Sequence, residues 1–199
     1  MKIYTIFAGV NGAGKTSIYK SVYYNENKSE KRINTDEMVA KIGSWKDDNL
    51  QIKCAREAIK LIKKYISEGI SFNQETTLSG KSIVKNIRLA KQNGFYVTMN
   101  YIGVENVNIA KERVKIRISK GGHGIPNEAI ERRYTESLLN LKSLLNVCDK
   151  IDIYDNTEML KLVMSIEKGR IIWQYRKIPN WLDKFLKSSD ILPTLHKIN

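Results

Sequence analysis

Cysteine is scarce in this chain: there are two in 199 residues, and Cys54 and Cys148 stand far apart with no C-x-x-C spacing. That excludes a disulfide framework, and both thiols read as small buried side chains of a protein kept in a reducing compartment. Long apolar runs are also missing. No stretch approaches the roughly 20 residues that span a bilayer, and the apolar N-terminal segment is a short strand rather than a signal peptide. The expected location is therefore cytoplasmic, with no membrane partner. Internal repeats and low-complexity tracts are absent too. Acidic residues are under-represented, 21 against 34 Lys and Arg, which leaves a formal charge of +13. Such a surface suits nucleic acid, a polyanionic small molecule or an acidic protein. Much of the excess, as in Lys60, Lys63, Lys64, Lys81, Lys85 and Lys91, is scattered over helical patterns. With no RNA- or DNA-binding motif and no basic block interleaved with aromatics, nucleic acid is not the expected partner.

What is present begins at residue 9. Gly9-Val10-Asn11-Gly12-Ala13-Gly14-Lys15-Thr16 fits G-x-x-x-x-G-K-[ST] and follows the apolar run Lys2 to Ala8. The pattern predicts a strand, a phosphate-cradling loop and a helix. Three glycines let the backbone turn its N–H groups inward as a nest for phosphate oxygens, and the positive end of the next helix adds to the pull. Gly9, Asn11, Gly12, Ala13, Gly14, Lys15, Thr16 and Ser17 are the expected nucleotide contacts. Lys15 would reach the β- and γ-phosphates, and the Thr16 hydroxyl would ligate Mg²⁺. The expected cofactors are thus ATP and Mg²⁺.

Strand and helix patterns then alternate. A helix over Thr16 to Tyr24 leads to a polar loop and a short strand at Arg32, which ends in Asp36 and Glu37 before a helix to Ile42. Asp36 reads either as a helix N-cap or as an acid delivered to the ligand edge of a parallel sheet. Trp45 lies in the next loop, as a core anchor or a stacking platform. A helix over Gln51 to Ser67 places Ile52, Ala55, Ile59, Ile62 and Ile66 on one side. The strand Ile70 to Glu75 again finishes on a carboxylate. Further elements are a helix Lys81 to Gln92, a strand Phe95 to Val104, helices from Asn106 to Ile118 and Pro126 to Leu145 flanking a glycine-rich turn, and a strand Lys150 to Tyr154. The chain length and this alternation predict one α/β domain, a doubly wound, mainly parallel sheet with a helical, glycine-rich lid at about residues 105–135. The final fifth, about 158–199, predicts a weak strand and a short helix as a C-terminal appendage.

AGVNGAGKTS, INTDE, FNQETTLSG and RVKIRISKGGHGIPNEAIERRY, in that order, resemble the zeta toxin family of P-loop kinases, its chromosomally encoded zeta-like branch above all, over roughly residues 1–157. The resemblance implies a cytosolic phosphotransferase that uses ATP and Mg²⁺ to phosphorylate the 3′-hydroxyl of UDP-N-acetylglucosamine. It also implies a small helical antitoxin as a possible partner. Carried over, the general base is Asp36, while Glu75 and Thr77 match the family's substrate-side acid and hydroxyl. Arg113 and Arg117, spaced i, i+4 on one helical face, are the choices for the lid cations that shield phosphate charge. His123 stands where some members carry arginine, a weaker anion clamp when neutral. Arg132 and Arg133 either reach the site or anchor the lid helix, and Glu57 is a further acid that aligns only across a gap. Two other readings stay open: a kinase of the same fold acting on another nucleotide, sugar or nucleic-acid hydroxyl, and a non-catalytic ATP-binding regulatory module.

Overall fold

Along Ile3–Ala8 successive side chains point to opposite faces of a strand, and both faces are apolar. Tyr4, Ile6 and Ala8 enter one buried cluster and Phe7 enters another, so this strand (β1) must lie in the middle of a sheet covered on both sides. A computed structural model describes residues 1–25, 27, 29–187 and 196–197 and shows that arrangement.

After β1 come α1 (Lys15–Ile18), continued by a π-helical turn at Tyr19–Tyr23, then β2 (Lys31–Ile33), α2 (Thr35–Ile42) and α3 (Asp48–Glu68). Next are β3 (Phe72–Thr76), α4 (Lys81–Gln92), β4 (Tyr96–Gly103), α5 (Val107–Ser119), α6 (Asn127–Leu144) and β5 (Lys150–Asp155). The chain continues through β6 (Lys161–Glu167), β7 (Arg170–Gln174), α7 (Asn180–Lys187) and β8 (His196–Lys197). The sheet order is β2-β3-β1-β4-β5-β6-β7-β8. Strands β1 to β5 run parallel, and β6 turns antiparallel to both β5 and β7.

Helices cover both faces, as a doubly wound sheet requires. Ala58, Ile62 and Ile66 of α3 and Ile83 and Ile87 of α4 pack on one side. Ile18 of α1, Ala110 and Val114 of α5 and Ile130 of α6 pack on the other. Each fully buried isoleucine contributes about 1.5–3 kcal/mol relative to exposure. Helix α3 starts at the Asp47 cap and stops at Gly69, whose φ of +68° only glycine adopts freely. Cys54 and Cys148 are free and buried, and burial pushes the Cys148 thiol up to about 12, so it stays protonated.

The segment after residue 158 differs from its pattern. Where one weak strand is expected, β6 and β7 form an antiparallel hairpin extending the sheet, and α7 buries Trp181, Leu182, Phe185 and Leu186 in the main cluster. Its alternation is masked because several β6 residues in a row are buried, the signature of a covered strand rather than a half-exposed one. No described helix is long and apolar enough to cross a membrane.

Candidate active site

The loop between β1 and α1 is shaped by what its glycines abut. A Cβ on Gly9 (φ +143°) would stand 2.3 Å from the Ile102 carbonyl oxygen, and one on Gly12 (φ +81°) 2.6 Å from the Ala110 carbonyl oxygen. Residues with side chains fit neither position. Asn156 closes the third side, its amide donating to the Ala13 carbonyl at 2.8 Å. Lys15 is buried, and its ammonium reaches back to the Val10 carbonyl at 3.1 Å. Burial pushes its pKa down, Glu75 and Asp36 pull it up, and Arg117 and Arg133 push it down further. That set of neighbours shows which charges share its surroundings.

On the acid side the expectation for Asp36 divides. The cap of α2 is Asn34, whose Oδ1 accepts from the Asp36 and Glu37 N–H groups at 3.0 and 3.4 Å. Asp36 is therefore not the N-cap, and its carboxylate is released from the helix. It is about half exposed, and among the described residues no donor lies within hydrogen-bond distance of it. Glu75 has the opposite surroundings. It accepts from the Thr16 hydroxyl at 2.9 and 3.2 Å, from Arg32 Nη2 at 2.7 Å and from the Asn34 amide at 3.0 Å. Arg32 also bonds Glu37 and stacks 3.5 Å above the Tyr19 ring. Because the Thr16 proton is directed at Glu75, the lone pairs of that hydroxyl remain for a cation. Thr77 follows, hydrogen-bonded to Ser79 at 2.8 Å, before Leu78 turns the chain at φ +56°.

From the helices beyond the sheet, three arginines bear on this edge. Arg113 Nη2 donates to the Thr157 carbonyl at 2.9 Å, but its Nη1 is buried without a partner among the described residues. Arg117 has Nε and Nη2 in the same condition. Arg133 Nη1 donates to Asn11 Oδ1 at 3.0 Å. It thus reaches the loop, whereas Arg132 is largely exposed and faces Glu136. Glu57 is half exposed on the outer side of α3, beside Lys60 and away from these groups. Ser17 is exposed at the start of α1, its N–H already donated to the Gly14 carbonyl at 3.1 Å.

A cavity of about 250 Å³ joins the two sides, lined by residues that include Asn11, Lys15, Asp36, Glu75, Thr77 and Arg133. Gln51, Gln74, Thr35 and Thr76 complete a wall of amides and hydroxyls. The residues fit a triphosphate: buried guanidinium nitrogens have no acceptor among the described residues, and Gly9 and Gly12 have no room for a Cβ. Among the described residues no group of three His, Cys, Asp or Glu could hold a metal. A hard cation would here take oxygen from Thr16 and from the phosphates it accompanies. Of the two readings for Arg133 the structure takes the first, since it lines the cavity; Arg32, Asn34, Gln51 and Gln74 are site residues beyond those the motifs name. A signal for Arg32 and Asn34 existed, since both sit one strand from Glu75 in a parallel sheet.

Because β3 lies between β1 and β2, the acid on β3 lands beside the loop threonine and the acid after β2 lands across the cavity, the layout of P-loop kinases. Residues 2–166 match the Zeta toxin family, and the chain belongs to it. An uncharacterised protein of Haemophilus influenzae is 36% identical over 128 residues, 64% of this chain and 89% of that protein. Among solved structures, the PezAT chromosomal toxin–antitoxin system of Streptococcus pneumoniae superposes with a TM-score of 0.62 at 16% identity, over 97% of this chain and 86% of that one. The AvrRxo1-ORF1:ORF2 complex with ATP gives 0.67 at 15% identity over 94% of this chain, which spans 63% of that chain's length. At these identities the likeness shows the fold.

Proposed function

We propose that the protein transfers the γ-phosphate of ATP to a hydroxyl of a UDP-amino sugar such as UDP-N-acetylglucosamine, with Asp36 as general base. One observation carries the assignment of the base: of the two acids facing the cavity, Glu75 is engaged by Thr16, Arg32 and Asn34, whereas no donor among the described residues holds the Asp36 carboxylate. Lys15, Arg113, Arg117 and Arg133 hold and shield the phosphates. Glu75 orients the Thr16 hydroxyl toward Mg²⁺ and, with the lone pair left on Oε1, one sugar hydroxyl, and Thr77 contacts the same substrate. The bound Mg²⁺ would supply charge neutralisation on the phosphates. A loose transition state needs alignment more than early deprotonation, so a carboxylate suffices as base. The amide- and hydroxyl-lined wall suits a polyhydroxy moiety, and the UDP-sugar identity rests on the family. A small antitoxin is the corresponding partner, as in the PezAT system.

The test offers ATP, Mg²⁺ and a panel of UDP-sugars to wild type and Asp36→Asn. A fall of about 10²–10⁴-fold in kcat is expected for the variant. Equal phosphorylation by both would remove Asp36 from the reaction, and no transfer by wild type to any UDP-sugar of the panel would overturn the proposed substrate.

A further inference from the structure

The His123 side chain stands over the proposed base. It lies in the turn between α5 and α6, is 14% exposed, and places Nε2 3.9 Å from Asp36 Oδ1. Trp45 from the α2–α3 loop packs against the imidazole, ring centroids 5.4 Å apart at 55°. The edge of the indole also abuts the turn itself. A Cβ on Gly124 would come within 2.7 Å of Trp45 Cη2, and one on Gly122 within 2.6 Å of Arg117 Cγ. Trp45 is held in turn from the cavity wall, its carbonyl accepting from Gln51 Nε2 at 2.5 Å. One short turn thus abuts a phosphate-side arginine and presents a histidine to the acceptor-side acid.

We propose that Trp45 and His123 form a clasp joining the α2–α3 loop to the lid over the acceptor end of the cavity, and that His123 is a positioning residue that aims Asp36 at the acceptor hydroxyl. The positioning role rests on the kinase reading, and the clasp does not. Asp36 is the one cavity acid whose carboxylate no described donor holds, so its side-chain torsions are free unless something outside α2 restrains them. Closing the 3.9 Å gap by about 1 Å brings Nε2–H within hydrogen-bond reach. Oδ1 is then held, and Oδ2 faces the acceptor.

The charged groups bearing on His123 are Asp36 from α2, Arg117 from α5 and Arg133 from α6, and the Lys46 ammonium lies 5.8 Å over the Trp45 ring. Burial and the two arginines favour the neutral ring, which donates a hydrogen bond without cancelling the base's charge. In the step itself the acceptor O–H bond breaks and its proton passes to Asp36 Oδ2. The acceptor oxygen bonds to the γ-phosphorus as the β,γ-bridging bond breaks, its electron pair leaving on ADP. His123 keeps its proton throughout.

Two arms test this, with folding of each variant checked by circular dichroism. In the nucleotide-free protein, the fluorescence difference between wild type and Trp45→Phe isolates the Trp45 emission. His123→Ala should shift that emission to the red as the indole loses its cover, and an unchanged spectrum overturns the clasp. In the kinase assay, His123→Ala should lower kcat about tenfold or more with less than threefold change in the ATP KM. His123→Gln, which places an N–H near the position of Nε2, should recover most of it. Trp45→Ala should lower kcat comparably, and the double variant should be no worse than either single one, as residues acting as a unit are not additive. Unchanged kcat in His123→Ala, in a protein whose wild type phosphorylates its acceptor, overturns the positioning role. Wild type that phosphorylates nothing overturns the kinase reading and that role together, and the fluorescence arm still decides the clasp.

Discussion

Arg32 Nη2 lies 2.7 Å from Glu75 Oε2, with the two side chains only 12% and 10% exposed. Glu75 is thereby neutralised from the β2 side, which leaves the Lys15 ammonium unspent, bonded only to a backbone carbonyl among the described residues. Under the proposed function the Lys15 ammonium is thus left for phosphate, because a second cation satisfies the acid.

Removing Arg32 should therefore be costly. Arg32→Met leaves a nearly buried carboxylate unpaired, and the expected loss is about 3–5 kcal/mol of unfolding free energy in urea titrations. Arg32→Lys keeps the charge but not the fork that bonds Glu37, Asn73 and Glu75 together, and should fall between.

Lys15→Met should separate stability from binding. Burial already opposes the Lys15 charge, so the variant should unfold at the same temperature as wild type or higher without nucleotide. With ATP and Mg²⁺ at 100-fold over Kd, wild type should gain about 2.7 kcal/mol while the variant gains little. Scanning fluorimetry at both conditions measures the difference.

The phosphate loop should distinguish its glycines. Gly9→Ala forces a Cβ onto a backbone oxygen and should cost about 3 kcal/mol together with nucleotide binding. Gly14→Ala, at φ +101°, is strained too and displaces the Asn156 amide from the Ala13 carbonyl, but its new Cβ meets a side-chain end at 2.4 Å rather than a backbone oxygen. It should be the milder of the two in the same denaturation experiment.

Trp181→Phe tests whether α7 belongs to the core. Trp181 Nε1 donates to Asp155 Oδ1 at 2.9 Å in a buried setting, and losing that donor should cost about 1–3 kcal/mol. A neutral result in urea would detach the C-terminal helix from the cooperative unit.

His123 makes a prediction about acid. Burial lowers its pKa in the fold below the ordinary value of 6.5, so between those two values the unfolded chain binds the proton more tightly. Stability contributed by the neutral ring is complete above pH 6.5 and is lost as pH falls through that window. The thermal midpoint of wild type should decline more steeply below pH 6.5 than that of His123→Gln.

Local chemistry made much of this legible from the chain alone. The glycine spacing before Lys15 and Thr16 marks a tight strand-to-helix loop, and Gly9 and Gly12 are the residues that fit against the Ile102 and Ala110 carbonyls. Helix α4 occurs as its pattern predicts, from Lys81 to Gln92, because apolar period and boundary signals agree. Asp36 and Glu75 could be placed on one sheet edge because parallel strands end together. What the sequence could not carry was partnership across the fold. That Asn34 rather than Asp36 caps α2, that Arg32 saturates Glu75, that Arg133 rather than Arg132 reaches Asn11, and that Trp45 meets His123 all depend on elements far apart in the chain. Such pairings leave no periodicity to read, because only packing decides which distant side chains come within a few ångströms of one another.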